Sequence, residues 1–360
     1  MIVKTFQKYL IKLFLKKLLI ISLIFSALIF ILSVFDEISF FKNMEVNFFF
    51  PYLITILNAP STLYEIFPFI FLISTQFFFL NLIQKGELEV LKINGLDNLK
   101  VIKLLIMISF IIGLLIISFY YVFSSKMKFL YLDLKNSYSN DNKYLAVVTE
   151  NGLWIKDEID EKIYIISAQK IEDNYLKGVT ISEFSSDFNL IQIYLSDSVD
   201  VSNMEWIILK PSLSKDNKNI RLKENIKIQT HFDIKKINGI FRNLSSLSIL
   251  ELINLKKDYK SLGYATNEVE IHLNKLFSFP FYLSIMTVIS SIVMLNTKRN
   301  KTFIYHVTMG IFLSVLIYYL YYLFNLLGQN GKIPLLLSVW FPLFVLSTLI
   351  TIGLIRINEK

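Results

Sequence analysis

Residues 18–35 read LLIISLIFSALIFILSVF, without a single charge. A helix needs about 20 mostly apolar residues to cross about 30 Å of hydrocarbon, and residues 13–15 extend this run toward that length. Five similar runs follow, at about residues 63–83, 104–123, 276–295, 303–327 and 334–355, the first of them broken only by Glu65 and Pro68. The pattern predicts six spans, three on each side of a polar centre. The first run exceeds a signal-peptide core of about 7–15 residues, and Asp36 and Glu37 follow it where a small-residue cleavage site would stand. It is expected to remain as a helix.

Charge placement sharpens this reading. The 360 residues carry 37 Lys+Arg against 29 Asp+Glu, a formal +8. Residues 124–270 hold 20 basic and 21 acidic residues, leaving 17 and 8 for the hydrophobic flanks. The excess of +9 in the flanks is a topology signal, with no nucleic-acid partner implied. One set of helix ends carries Lys4, Lys8, Lys12, Lys16, Lys17, Lys85, Lys92, Lys100 and Lys103. The same side takes Lys298, Arg299, Lys301, Arg356 and Lys360, whereas Lys42 and Lys332 alone mark the short loops opposite. Both termini are therefore expected in the cytoplasm and the central segment outside it. With 54% hydrophobic and 18% charged residues, against about 45–50% and about 25% in soluble domains, the composition argues against a plain soluble enzyme. The chain has no cysteine and only His231, His272 and His306, so disulfides, thiolate chemistry and a metal site are not expected.

The central segment reads as β. Short runs rich in branched and aromatic residues recur at 145–148, 153–155, 163–166, 179–184, 190–195, 206–209 and 226–234, separated by turn material at 151–152, 157–161, 185–189 and 215–218. Such spacing predicts a sandwich or jelly roll. A polar helical piece at 248–262 leads back to the fourth span. The expected organisation is residues 1–123 with spans one to three, 124–263 as an extracytoplasmic all-β, jelly-roll-like domain, and 264–360 with spans four to six. The fold class is an α-helical polytopic membrane protein with that domain inserted.

No motif for soluble-site chemistry appears: no G-x-x-x-x-G-K-[ST] loop, no G-x-S-x-G and no H-E-x-x-H. No cofactor is expected, and the chain is not expected to be an enzyme. Glu65 is the main charge inside a span. Near Pro60 and Pro68, within a turn or two of the outer interface, it is expected to snorkel. The loop at about residues 85–96 is more informative. Leu88 and Leu91, with Val90 and Ile93, give a short helix an apolar side, and Glu87 and Glu89 lie near its start. Gly95 suits the left-handed position that ends such a helix, and Asp97 can cap the next one. Two readings stand level: an interfacial connector, or a helix docking into a groove of a cytoplasmic partner.

Several segments together carry a resemblance. They are Phe35-Asp36-Glu37, the stretch from Leu57-Asn58-Ala59-Pro60 through Phe67-Pro68, Gly86-Glu87-Leu88 with Gly95, Gly152-Leu153-Trp154-Ile155-Lys156-Asp157, and Gly331-Lys332-Ile333-Pro334 with Trp340-Phe341-Pro342. In this order, on a three–domain–three topology, they resemble the LptF/LptG permease family of the lipopolysaccharide exporter, most closely its LptG branch, over nearly the whole chain. Leu335 departs from the family's Pro-Pro pair, and the basic cluster after span one is reduced to Lys42.

The resemblance implies a permease subunit that extracts lipopolysaccharide from the inner membrane and passes it to a periplasmic bridge. It implies four partners: a cytoplasmic LptB-like ATPase dimer that hydrolyses the ATP, a second LptF-like six-span subunit, an LptC/LptA-like bridge protein, and lipopolysaccharide itself. The loop helix would be the coupling helix, with Glu87, Leu88, Glu89, Leu91 and Gly95 contacting the ATPase. Spans one and five would border the lipid's entry, placing Phe35, Asp36, Lys42, Tyr318 and Tyr322 on its path. By their own pattern the tyrosines of span five read as a packing and interfacial set. The alternatives are the LptF-type sister subunit, a permease for another large lipid, or a non-transporting membrane-anchored scaffold with a β ectodomain.

Overall fold

The computed structural model describes residues 5–358 apart from 43, 45, 139–152, 160–161, 173, 216–217, 222–223, 233, 235–236, 238–242, 262–264 and 297–301. The strand expected at 145–148, the turn at 151–152, Gly152, Lys4, Lys298, Arg299, Lys301 and Lys360 lie outside the described residues.

In chain order the helices are α1 (Thr5–Phe41), α2 (Phe50–Gln84), α3 (Glu87–Ile93), α4 (Asn98–Leu115), α5 (Val122–Ser137), α6 (Ile249–Ser261), α7 (Asn267–Asn296), α8 (Phe303–Gln329) and α9 (Leu335–Asn358). A π-helical turn, Ile116–Tyr121, joins α4 to α5. The chain divides into two compact units, Met1–Lys128 with Asn267–Lys360, and Phe129–Thr266.

Among the described residues, six helices are long and apolar enough to cross a membrane: Thr5–Phe41, Phe50–Gln84, Asn98–Lys135, Asn267–Asn296, Val307–Gln329 and Leu335–Ile355. The first and third run to 37 and 38 residues, or about 55 Å at a rise of about 1.5 Å per residue. The first exceeds its apolar run because no proline or glycine stops α1 between Thr5 and Phe41, so its polar ends stay helical.

Burial separates the spans by role. In α2 and α7, 67% and 61% of the most apolar stretch is buried, against 17% in both α1 and α8; α2 and α7 form the centre. Since lipid tails are as apolar as leucine, small residues and polar glue hold such helices together. Ser109 and Thr287 share a hydroxyl hydrogen bond at 2.8 Å, and Ser290 Oγ donates to the Leu72 carbonyl at 2.7 Å. At Gly113 the backbones of α4 and α7 come so close that a Cβ would stand 2.7 Å from Pro280 Cα.

The second unit holds β1 (Leu153–Ile159), β2 (Lys162–Ala168), β3 (Lys170–Glu172), β4 (Tyr175–Ser185), β5 (Leu190–Asp200), β6 (Glu205–Ile208), β7 (Ser212–Lys215), β8 (Lys218–Arg221) and β9 (Ile226–Gln229). They form one antiparallel sheet with the main order β1-β2-β4-β5-β6-β9; β3 adds to β4, and β7 pairs with both β5 and β8. Strands β3, β7 and β8 were not anticipated. Their sequences KIE, SLSK and KNIR lack a run of alternating apolar residues, and pairing with longer neighbours makes them strands.

The core of this unit forms around Leu176, Val179, Ile181, Val199 and Trp206. Trp206 is fully buried, and its Nε1 donates to the Phe232 carbonyl at 2.7 Å. Glu183, buried on β4, receives Lys162 Nζ at 2.8 Å and Gln192 Nε2 at 2.6 Å. Burial pushes its carboxyl up, but the hydrogen bonds from Lys162 and Gln192 and the Lys162 charge more than offset this and hold it below its ordinary value.

Candidate functional site

The loop between the second and third spans is built from two left-handed glycines around one helix. Gly86 (φ +70°) turns the chain out of α2, and Gly95 (φ +78°) ends α3. Beyond Gly95, the Leu96 amide donates to the Leu91 carbonyl at 3.0 Å and the Gly95 amide to the Lys92 carbonyl at 2.9 Å. This pair of bonds is a Schellman closure, as the glycine position predicted. Asp97 holds the residue before α4 without a side-chain cap bond. Its carboxylate lies 3.6 Å from Lys100 Nζ instead, and that ammonium also donates to the Gly95 carbonyl at 2.8 Å.

The two apolar pairs of α3 have different fates. Leu88 and Leu91 pack, partly buried, against the transmembrane core. Val90 and Ile93 are 58% and 85% exposed, three residues apart and hence on one face. Glu87 is tied within the chain: the Tyr9 hydroxyl donates to its Oε2 at 2.6 Å, and Lys85 stands 3.9 Å from Oε1. Tyr9 was not singled out in the sequence, since nothing in local spacing shows that α1 passes beside the loop.

The residues expected along a substrate path fall on two helices. Phe35 (67% exposed) and Asp36 lie on an outward side of α1, and Lys42 just past its end is also exposed. On α8, Tyr318 and Tyr322 are exposed and stacked, with ring centroids 6.3 Å apart and planes 13° from parallel. Tyr321 turns inward against Tyr282, 5.0 Å between centroids. The tyrosines thus divide between an inner packing contact and an outer aromatic pair.

Glu65 has company that its own sequence neighbourhood hides. Lys128 and Lys275 are close enough to attract its charge, and Tyr318 lies within its electrostatic reach. Lys128 Nζ also donates to Asn58 Oδ1 at 2.7 Å. Nearby, the π turn sends the Tyr120 hydroxyl to the Pro60 carbonyl at 3.2 Å and Tyr121 to His272 Nε2 at 3.0 Å. The two lysines were missed, although topology signalled them. Lys128 follows the third apolar run and Lys275 precedes the fourth, so both belong to the bundle end where Glu65 begins the second.

Among the described residues, six membrane-length helices in two sets of three, a β sheet inserted between the sets and a short helix in the second connection define a polytopic helical membrane protein with an inserted β domain. The family model described as "Lipopolysaccharide export system permease LptF/LptG" matches residues 8–356. The chain belongs to the LptF/LptG family of lipopolysaccharide export permeases. No curated protein matches it.

Proposed function

We propose that the chain is the LptG-type permease subunit of a lipopolysaccharide exporter, paired with a second six-span subunit and driven by a separate cytoplasmic ATPase dimer. The observation that carries the coupling role is α3: a short helix seated on the bundle by Leu88 and Leu91 that leaves Val90 and Ile93 uncovered. An apolar pair on one helical face, flanked by the exposed Glu89 and Lys92, suits a helix-in-groove contact. Glu87, hydrogen-bonded to Tyr9, fixes the helix against α1 and borders the contact. The motif order read from the sequence supports the LptG branch.

The energetics call for such a machine. Removing an acyl chain from a bilayer costs about 0.8 kcal/mol per methylene, so a multi-chain glycolipid costs on the order of tens of kcal/mol to extract. External energy and a sheltered path are both needed. The low burial of α1 and α8 supports these helices as the sides facing a second subunit and the entering lipid, with Phe35, Asp36, Lys42, Tyr318 and Tyr322 along the entry. The β domain, outside the cytoplasm, would pass the lipid to a bridge protein.

The test substitutes a residue that contributes nothing to the fold. Ile93→Glu is expected to abolish co-purification of the ATPase while membrane insertion and yield stay normal; Glu87→Lys is expected to weaken it. Full ATPase binding and lipid release by Ile93→Glu would sink the coupling assignment, and a scaffold would tolerate replacement of α3 by a Gly/Ser linker.

A further inference from the structure

Beside α3 lies a groove of about 730 Å³, lined among others by Phe6 and Leu10 of α1, Leu91 of α3, and Lys100, Lys103, Leu104 and Met107 at the start of α4. Its volume is that of a small-molecule site. Its chemistry changes along its length. At the loop end stand Lys100 and Lys103, three residues apart and on one face of α4. One turn further on, Leu104 and Met107 carry the groove into the apolar span, with buried Leu10 and Val101 as floor. Cation first, hydrocarbon after, is the order in which a bilayer lipid presents its headgroup and chains.

The charge is only partly compensated. No acidic residue lines the groove. Lys100 pairs with the exposed Asp97 at 3.6 Å and donates to the Gly95 carbonyl at 2.8 Å, and among the described residues Lys103 makes no ion pair. Two ammoniums beside an apolar wall thus share one solvent-exposed carboxylate, Asp97 on Lys100, and carry a net positive charge toward the headgroup layer.

We propose that this groove binds one anionic phospholipid, its phosphate on Lys100 and Lys103 and one acyl chain along Phe6, Leu10, Leu104 and Met107. Basic pockets between transmembrane helices hold anionic headgroups in this way. Because Leu91, Asn94, Gly95 and Leu96 also line the groove, the bound lipid would brace the closing turn of α3, leaving Val90 and Ile93 uncovered. The proposal depends on the cytoplasmic placement of the loop only for which leaflet supplies the lipid.

The full-length chain, purified in neutral detergent without the ATPase, is titrated with phosphatidylglycerol, phosphatidylcholine or inorganic phosphate and read by native mass spectrometry. One phosphatidylglycerol per chain is expected, retained at least tenfold over phosphatidylcholine. Lys100→Gln with Lys103→Gln should weaken it by about thirtyfold, the attraction ordinary for two lysines near an anionic surface. Lys85→Gln with Lys92→Gln, on the same loop but outside the groove, should change it by less than about twofold. Met107→Trp, which fills the apolar part, should also reduce binding. Equal weakening by both lysine pairs would show general surface attraction and overturn the site. So would equal retention of phosphatidylcholine, displacement by phosphate alone, or indifference to Met107→Trp. Since no ATPase is present, failure of the coupling role leaves this readout unchanged.

Discussion

Gly113→Ala tests whether α4 and α7 are packed backbone to backbone. The added Cβ would stand 2.7 Å from Pro280 Cα and 3.0 Å from its Cβ, where ordinary carbon contacts lie at about 3.5–4.0 Å. The helices must part by about 1 Å, because a proline Cα inside a helix cannot turn aside. Overpacking of this kind costs about 1–3 kcal/mol. One turn away sits the Ser109–Thr287 hydrogen bond at 2.8 Å, and its loss adds about 0.6 kcal/mol, typical for a hydroxyl pair in a membrane. The expected total is about 1.6–3.6 kcal/mol, a shift of roughly 14- to 370-fold in the unfolding equilibrium. Gly353→Ala is the matched control. There the new Cβ meets side-chain atoms alone, Ile292 Cδ1 at 2.8 Å and Cγ2 at 3.1 Å, which can give way without moving a backbone, so the cost should be about 1 kcal/mol, the low end of overpacking. Reversible unfolding of the full chain in mixed SDS and neutral-detergent micelles measures both. If Gly113→Ala changed stability by no more than Gly353→Ala, the close backbone contact would be wrong.

Three further outcomes follow from single contacts. The Glu183 carboxyl is held below its ordinary value, so its contribution is fully present above the unfolded carboxylate value of about 4.3. It fades as pH falls through the lower folded value. Protection factors in β4 and β5, taken against the intrinsic exchange rate at each pH, should fall on acidification, and Glu183→Gln should flatten that fall; an unchanged profile would refute the network. Trp206→Phe removes one of two donors to the buried Phe232 carbonyl, Thr230 Oγ1 remaining at 2.8 Å, and is expected to cost about 1 kcal/mol for the lost hydrogen bond, read as faster exchange in β6 and β9, with wild-type exchange as the contrary result. Tyr9→Phe removes the 2.6 Å bond to Glu87; Tyr9 is 44% exposed, so the loss should stay below about 1 kcal/mol and raise amide exchange in α3 by no more than about fivefold.

The six spans were legible because each is a local property: a continuous apolar run reports its own burial in lipid. The same holds for the Gly95 closure of α3, where only a left-handed backbone satisfies the last carbonyls. Strand positions with their own apolar pattern, such as residues 179–184 and 190–195, were equally readable. The polar strands β7 and β8 were not, since their formation depends on a neighbour.

Sequence alone thus determined the membrane class, the inserted β domain, the loop helix and the family resemblance, all carried by patterns within a few turns of chain. Tertiary structure decided what each side chain faces. It turned Leu88 and Leu91 inward and left Val90 and Ile93 outside, bound Glu87 to Tyr9 across 78 residues of chain, and brought Lys128 and Lys275 within electrostatic reach of Glu65. It also shaped the groove lined by Lys100 and Lys103 from three separate helices. Periodicity gives a helix an apolar side, but which neighbour covers that side depends on how the spans pack, and no single stretch of sequence contains that information.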